Sequence, residues 1–208
     1  MIGIVDYKAG NLTSVARALS FFGYRWIISD DPEELKKAER IIFPGVGAAK
    51  SAMDSLKETG LDEFLKETFL KGTPILGICL GTQVIFEESE EDGGTKTLGL
   101  LKGKVKRFPE PFLFKGERLK VPHMGWNQVV WQKPHPVFQG LDPEYEYYFV
   151  HSYYVVPEEE EVIYGVTFHG ISFPSVVAYK NLVALQFHPE KSGKPGLQIL
   201  DQFCRWNP

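Results

Sequence analysis

The short segment Gly77-Ile78-Cys79-Leu80-Gly81 constrains the fold of this 208-residue chain more than any other. Apolar residues 74–78 predict a buried strand, and residues 82–88 predict the start of a helix. Cys79 therefore lies on a strand-to-helix turn, with a glycine two residues away on each side. A nucleophile elbow of this kind is strained, and its glycines leave room to present a reactive side chain above a sheet. The N-terminal amides of the helix would favour a thiolate.

The same five residues have a second interpretation. Unpaired cysteine is among the most buried residue types, so Cys79 is also explained as a small apolar side chain in a sheet core. Gly-x-Cys-x-Gly alone does not separate these interpretations. The only other cysteine, Cys204, lies in an apolar C-terminal helix pattern, where we expect core packing rather than a disulfide framework.

A histidine and a glutamate near the C-terminus supply the groups that a cysteine nucleophile needs. Residues 182–187 predict a strand that leads into His188-Pro189-Glu190. In extended backbone, His188 and Glu190 share a face, so the carboxylate could orient the imidazole that activates the thiol. Each residue alone is equally consistent with a solvated surface position. Together with the elbow, they predict a Cys79–His188–Glu190 triad.

A glycine-rich turn follows the predicted strand 41–43. Its sequence, Pro44-Gly45-Val46-Gly47, leaves backbone amides free to approach a ligand closely. We expect the Gly45–Val46 region to donate one N–H to an oxyanion and the amide of Leu80 to donate another. The alternative is an ordinary turn, which proline followed by glycine also indicates.

The chain divides into two halves with different patterns. In the first half, predicted strands 2–5, 24–29, 41–43 and 75–78 alternate with helical patterns at 12–22, from 32 onward, and at about 48–70. This alternation predicts a central, mostly parallel sheet flanked by helices, with ligands beyond the carboxyl ends of the strands. The second half is β-rich, with predicted strands at 98–108, 119–121, 128–131, 145–150, 153–156, 162–167, 176–179 and 182–187, and a final helix at about 196–206. We expect a single domain over 1–208.

Three motifs together resemble the class I, or triad, glutamine amidotransferases. They are Pro44-Gly45-Val46-Gly47, Gly77-Ile78-Cys79-Leu80-Gly81-Thr82-Gln83 and Gln186-Phe187-His188-Pro189-Glu190-Lys191-Ser192. The resemblance covers the whole chain and implies a flavodoxin-like α/β fold. Within the family, residues 6–12, 121–127 and 148–153 most resemble the glutaminase subunits of histidine biosynthesis. The chain departs from the family at Lys8, where glycine is common, and at Thr82, where methionine is common.

The resemblance implies a hydrolytic mechanism. A Cys79 thiolate generated by His188 would attack the side-chain amide of glutamine, and His188 would then protonate the departing ammonia. Water would hydrolyse the γ-glutamyl thioester while Glu190 orients His188. Residues that would hold the substrate are Gln83, Glu91, Ser152 and Tyr153. Their alternative interpretation is as ordinary helix-surface and strand residues.

The ammonia acceptor is expected on another polypeptide, because the chain has no nucleotide-binding motif. The resemblance implies a heterodimer with a (β/α)8-barrel cyclase subunit that forms imidazole glycerol phosphate and an aminoimidazole carboxamide ribonucleotide. The residues expected at this interface are Asn11, His123, Met124, Trp126 and Lys191. The aromatic and methionine content of 122–127 favours an interface, and a buried strand–loop cluster is the alternative.

Composition argues against several other functions. The net charge of −4 and the pI near 5.8, without a basic cluster, give no reason to expect nucleic acid. No apolar run reaches membrane-spanning length, and the N-terminus lacks a signal-peptide pattern, so we expect a cytoplasmic protein away from membranes. The histidines have no metal-ligand spacing, and we expect neither a metal nor a cofactor.

Three competing interpretations remain from the sequence. One is a glutaminase subunit for anthranilate or vitamin B6 cofactor synthesis, although the segments 44–47 and 121–127 argue against it. Another is a stand-alone cysteine hydrolase or protein-repair enzyme of the flavodoxin-like superfamily, which usually lacks the downstream His-Pro-Glu. The third is an inactive binding module, which the intact set of Cys79, His188 and Glu190 disfavours.

Overall fold

The computed structural model describes residues 1–8, 10 and 12–208. Asn11, which is expected to contact a partner, lies outside the described residues. The strands are β1 (Ile2–Val5), β2 (Trp26–Ser29), β3 (Arg40–Gly45), β4 (Ile75–Cys79), β5 (Glu88–Ser89), β6 (Thr95–Lys96), β7 (Gly103–Arg107), β8 (Leu113–Phe114), β9 (Glu117–Arg118), β10 (His123–Gln128), β11 (Val130–Trp131), β12 (Glu146–His151), β13 (Tyr153–Pro157), β14 (Ile163–His169), β15 (Ile171–Tyr179) and β16 (Leu182–Leu185). The α-helices are α1 (Leu12–Phe21), α2 (Pro32–Leu35), α3 (Ala49–Thr59), α4 (Leu61–Leu70), α5 (Leu80–Val84) and α6 (Gly193–Arg205).

An eight-stranded sheet forms the centre, in the order β11-β14-β15-β16-β4-β3-β1-β2. The five strands from β16 to β2 are parallel, and β15, β14 and β11 continue the sheet in antiparallel pairing. The predicted mostly parallel central sheet is confirmed. Its parallel strands β3, β4 and β16 end at one edge, where Cys79 is the last residue of β4 and the His188 segment follows β16. The Pro44 turn (Pro44-Gly45-Val46-Gly47) lies there too, but its first two residues extend β3 beyond the predicted strand 41–43.

Helices cover both faces of this sheet because side chains alternate along each strand. Ile42, Leu76 and Val183 pack on the face that carries α1 and α6. Their neighbours Ile41, Ile75 and Leu182 pack on the opposite face with α3 and α4. The near-continuous apolar runs of β1, β3, β4 and β16 follow from this burial on two sides. Cys204 packs within α6 on the first face, as expected.

The predicted helix beyond the elbow is shorter than expected. It ends at Val84, because the N–H of Glu87 donates to Gly103 and Glu88 pairs with β7 and β6. The predicted strand 98–108 begins only at Gly103. The N–H groups of residues 98–101 instead donate to carbonyls of residues 84–86. Sheet and loop hydrogen bonds therefore replace the expected helical ones.

The β-rich half places one strand beside the predicted catalytic residues. No strand forms at the expected 119–121, where Leu119 donates to Phe112 in a loop. Instead β10 pairs antiparallel with β12, with Met124 opposite Val150 and Trp126 opposite Tyr148. A separate four-stranded sheet has the order β13-β7-β5-β6. Within the described part of the chain, no helix is both long and apolar enough to span a membrane.

Candidate active site

The elbow at Cys79 has the strained backbone that the sequence predicted. Cys79 ends β4 and precedes α5 with φ 54° and ψ −107°, a conformation that an L-residue adopts only at a cost of about 1–3 kcal/mol. A side chain at Gly81 would place its Cβ 1.9 Å from the carbonyl oxygen of Phe43. At Gly77, the Cβ would lie 3.1 Å from that of Ala184. The glycines are thus required by close packing around the turn.

The thiol does not stand freely above the sheet, contrary to expectation. Cys79 is only 6% exposed, and its sulfur lies 3.9 Å from the carbonyl oxygen of Val150 on β12. It is reached from a cavity of about 340 Å³, within the range of small-molecule sites, about 300–1,000 Å³. The β-rich half therefore encloses the Cys79 thiol.

His188 and Glu190 meet at the end of β16. The Nδ1 atom of His188 lies 2.7 Å from Oε1 of Glu190, and both side chains are buried. The expected extended geometry is wrong, since Pro189–Lys191 forms a short 3-10 helix, but the two side chains still converge. Nε2 of His188 is buried without a hydrogen-bond partner among the described residues. This nitrogen is therefore available to the thiol.

The electrostatics of His188 favour its protonated form. Burial alone would lower its pKa, but the nearby Cys79 and Glu190 outweigh burial and raise the pKa to about 9. A charged imidazole beside a thiolate is the state that activates a cysteine nucleophile. The pair can accept and return a proton close to the sulfur.

Gln186 opens the third motif, but no role was predicted for it from the sequence. Its side chain is fully buried, with Nε2 donating to the sulfur of Cys79 at 3.8 Å and Oε1 accepting from Gln83 at 3.1 Å. Gln83 also donates to the carbonyl of Tyr153 at 3.1 Å. A polar residue inside the apolar run 182–187 was the available signal. Gln83 is therefore buried and joins α5 to β13 and to Gln186 just after β16, rather than lying on a helix surface.

The residues expected to hold glutamine line the cavity. The lining includes Val46, Cys79, Leu80, Gln83, Glu91, His151, Ser152 and Tyr153. Glu91 also accepts a 2.7 Å hydrogen bond from the N–H of Ala49 at the start of α3, a helix whose N-cap residue offers no side-chain acceptor. Burial, opposed by this hydrogen bond, raises the pKa of Glu91. Glu91 thus joins the cavity to the helix that follows the Pro44 turn.

The Pro44 turn lies directly beside the elbow. The β3/β4 ladder ends with Gly45 paired to Cys79, and the N–H of Ile41 donates to Pro74 at its start. Alternate residues of a parallel strand bond to its neighbour. This phase directs the carbonyl of Gly45 toward the N–H of Leu80. The two expected oxyanion donors are therefore adjacent, and the carbonyl of Gly45 faces the Leu80 donor.

The expected interface residues lie on the other side of β12. Met124 and Trp126 are 62% and 54% exposed on β10, and Trp126 packs edge-on against Tyr148, whose ring also lies 5.9 Å from Nζ of Lys191. His123 is placed differently from the expectation. Alternation along β10 turns its side chain inward, where it is buried. It can support the exposed face but offers little surface of its own.

Two buried histidines are held as neutral tautomers. Nδ1 of His151 lies 2.7 Å from the carbonyl of Tyr153 and must donate to it, so Nε2 accepts from Nδ1 of His123 at 2.9 Å. Nε2 of His123 then accepts from the amide of Asn127 at 3.1 Å. Burial lowers the pKa of His123 to about 4 and that of His151 to about 3. These contacts link β10 to the cavity without a charge.

Comparison with known proteins agrees with this geometry. A family model for glutamine amidotransferase class-I matches residues 3–206. The imidazole glycerol phosphate synthase subunit HisH of Geobacillus sp. (strain WCH70) is 52% identical over 204 residues, covering 98% of this chain and 96% of that protein. The subunit of the same name from Dehalococcoides mccartyi (strain CBDB1) is 45% identical over 205 residues, covering 99% and 97%.

Solved structures show the same fold. A crystal structure of a glutamine amidotransferase has a TM-score of 0.73 at 19% identity, covering 98% of each chain. The structure of PurLQS from Thermotoga maritima has a TM-score of 0.70 at 17% identity, covering 98% of this chain and 97% of that one. The family resemblance drawn from the motifs is confirmed. This chain belongs to the class-I glutamine amidotransferase family and, within it, to the HisH subunits of imidazole glycerol phosphate synthase.

Proposed function

We propose that Cys79, His188 and Glu190 carry out the glutaminase reaction of this HisH subunit in histidine biosynthesis. The observation that carries the assignment is the buried His188–Glu190 contact with a free Nε2 and a pKa raised partly by Cys79. The Cys79 thiolate attacks the amide carbon of glutamine and forms a carbon–sulfur bond. The imidazolium of His188 gives its proton to the nitrogen, and ammonia departs.

Hydrolysis of the thioester completes the cycle. His188 removes a proton from water, the hydroxide attacks the thioester carbonyl, and glutamate leaves as the carbon–sulfur bond breaks. The N–H groups of Leu80 and Val46 stabilise the negative oxygen of both tetrahedral intermediates, each worth roughly 3 kcal/mol. Gln83, Glu91 and the backbone at Ser152 and Tyr153 hold the substrate in the cavity that they line.

We further propose that the product ammonia passes to a (β/α)8-barrel cyclase subunit in a heterodimer. The exposed Met124 and Trp126 on β10 provide the apolar contact area of an interface. Their strand, β10, is connected to the catalytic groups through its partner strand β12. Met124 lies opposite Val150, whose carbonyl contacts the sulfur, and Tyr148, opposite Trp126, accepts the backbone N–H of His188.

The Gly45–Val46 peptide is the proposed control point. Its carbonyl is directed at the Leu80 N–H, so glutamine hydrolysis requires this peptide to rotate. Rotation frees Leu80 and presents Val46 as a second donor. Since one oxyanion donor is worth about 10²–10³ in rate, the isolated subunit should be nearly inactive. Partner and acceptor binding increase activity only as far as they prefer the rotated state.

Ammonia release from glutamine tests both proposals. It should be measured for the subunit alone, with the cyclase subunit, and with the cyclase subunit plus imidazole glycerol phosphate as an acceptor-site ligand. Activity should increase in that order. Cys79→Ser should lose roughly 10⁴-fold or more, while its complex still makes product from added ammonium. Retained glutaminase activity in Cys79→Ser would reject the nucleophile, whereas full activity in the lone subunit would reject only the control point.

A further inference from the structure

Tyr7 carries a hydroxyl that is buried in the core. The residue is 1% exposed, and its hydroxyl oxygen has no hydrogen-bond partner among the described residues. Its ring packs 5.3 Å from that of Phe43 on β3. Leaving such a group unpaired costs about 1–3 kcal/mol. This cost is explained if the molecule has another conformation in which the Tyr7 hydroxyl forms a hydrogen bond.

The hydroxyl lies against the Pro44 turn. A Cβ built on Gly45 would be 1.6 Å from the Tyr7 oxygen and 2.9 Å from its Cζ. Glycine is thus the only residue at position 45 that lets the hydroxyl approach the backbone this closely. Because a Cβ points out of the plane of a sheet, Tyr7 lies above or below the turn rather than beside it. Burial and, second, the nearby Cys79 raise the pKa of Tyr7, so the hydroxyl keeps its proton.

Rotation of the Gly45–Val46 peptide changes the partners of two groups. In the present structure the ladder directs the Gly45 carbonyl toward Leu80. When the peptide turns out of the sheet plane, this carbonyl loses its partner unless a new donor is near. The N–H of Val46 points opposite to the carbonyl in a trans peptide. Val46 lines the cavity and Tyr7 does not. When the Gly45 carbonyl turns toward Tyr7, the Val46 N–H therefore points away from Tyr7 and toward the cavity.

We propose that Tyr7 is a positioning residue whose hydroxyl donates to the Gly45 carbonyl in the rotated state and thereby stabilises the competent oxyanion site. This inference rests on the proposed control point and names the group that receives the displaced carbonyl. When the peptide rotates, the Tyr7 hydroxyl gains a hydrogen-bond partner. The Leu80 N–H then faces the substrate oxyanion instead of the Gly45 carbonyl. No bond to substrate is made by Tyr7 itself.

Tyr7→Phe tests the proposal, because it removes the oxygen and keeps the ring. A net hydrogen bond of about 0.5–1.5 kcal/mol corresponds to a roughly 2–10-fold change in the rotated population. We expect kcat for glutamine in the complex with cyclase and imidazole glycerol phosphate to fall about 5-fold. KM for glutamine and ammonium-driven synthesis should not change. The urea midpoint of the lone subunit should stay equal or increase, since an unpaired hydroxyl is lost.

Tyr147→Phe is the matched control. Tyr147 is also fully buried, and its hydroxyl has no hydrogen-bond partner in the described part of the chain. Its ring, however, packs at a tilt 4.4 Å from that of Phe187 rather than against the Pro44 turn. The stimulated kcat of Tyr147→Phe for glutamine should equal that of the parent. An unchanged stimulated kcat in Tyr7→Phe would overturn the proposal, as would increased activity of the lone Tyr7→Phe subunit. Absence of glutaminase activity in the parent complex would instead reject the proposed function.

Discussion

Glu190→Gln separates the charge of the proposed third triad member from its shape. In the parent, Nδ1 of His188 lies 2.7 Å from a carboxylate oxygen of Glu190. The glutamine amide can still accept a hydrogen bond from this nitrogen, but it carries no negative charge to balance the imidazolium. Both side chains are buried, so solvent screens the lost charge little. Hydrogen bonds to charged groups contribute about 1.5–3 kcal/mol, which corresponds to a roughly 10–100-fold loss of turnover. His188→Ala should lose more.

The pH profile gives a second, independent result. In the proposed mechanism His188 acts as an acid toward departing ammonia, so activity should fall as pH rises through its pKa of about 9. Contacts with Cys79 and Glu190 raise this pKa against the opposing effect of burial. Removing the Glu190 charge should therefore move the alkaline limb to lower pH.

The same substitution should change stability with a defined sign. A histidine with a raised pKa contributes stability that is fully present below its unfolded value of about 6.5 and lost as pH rises through about 9. Glu190→Gln should reduce that contribution at pH 6 more than at pH 10. Glutamate release by the complex and urea unfolding, each from pH 6 to 10, provide the measurements. Parent-like turnover with an unshifted alkaline limb would remove Glu190 from the triad.

Three further predictions follow from packing and exposure. Gly81→Ala should destabilise the fold by more than about 2 kcal/mol in urea unfolding, because its Cβ would meet the Phe43 carbonyl at 1.9 Å; unfolding like the parent would show that the elbow can relax. Lys8 has φ 63°, so Lys8→Gly should raise the melting temperature by relieving roughly 1 kcal/mol of strain, whereas Lys8→Ala should not. Trp126→Ala should weaken cyclase binding by about 2 kcal/mol in calorimetry, while Leu70→Ala, exposed at the far end of α4, should leave it unchanged.

The central sheet was predictable because its signals are local and repeated. Apolar strands separated by helical patterns define a parallel sheet, and the two glycines around Cys79 mark its functional edge. The β-rich half was less predictable. Whether residues 119–128 form a strand depends on the partner β12, and the exposed Met124 and Trp126 make the pattern of β10 weak.

The sequence motifs predict which residues form the proposed catalytic site, but not the geometry of that site. Cys79, His188 and Glu190 each lie in a recognisable motif. The 3-10 turn at Pro189, the enclosure of the thiol by β12, and the contact of Gln186 with sulfur arise from packing between distant segments. Tyr7 gave no signal at all, because an aromatic residue after a buried strand is ordinary until Gly45 is seen against its hydroxyl.

The chain departs from the family pattern at Lys8 and Thr82, and only the first departure strains the structure. Lys8 takes a left-handed conformation that glycine adopts freely, which explains the family preference in physical terms. Thr82 is buried, but its hydroxyl donates to the carbonyl of Leu185 at 2.6 Å. The polar atom is satisfied, and the same bond ties α5 to β16. The second departure is thereby compensated within the fold.

Ammonia is of use to a second enzyme only while it keeps its lone pair, and any acidic group that it meets on the way would convert it to ammonium. His151 borders the cavity on the side of β10 and could have been such a group. Its Nδ1 proton is held by the Tyr153 carbonyl, its Nε2 is filled by His123, and burial lowers its pKa to about 3. At physiological pH this imidazole has no acidic proton to give. His151 therefore does not protonate newly released ammonia, which stays a neutral nucleophile.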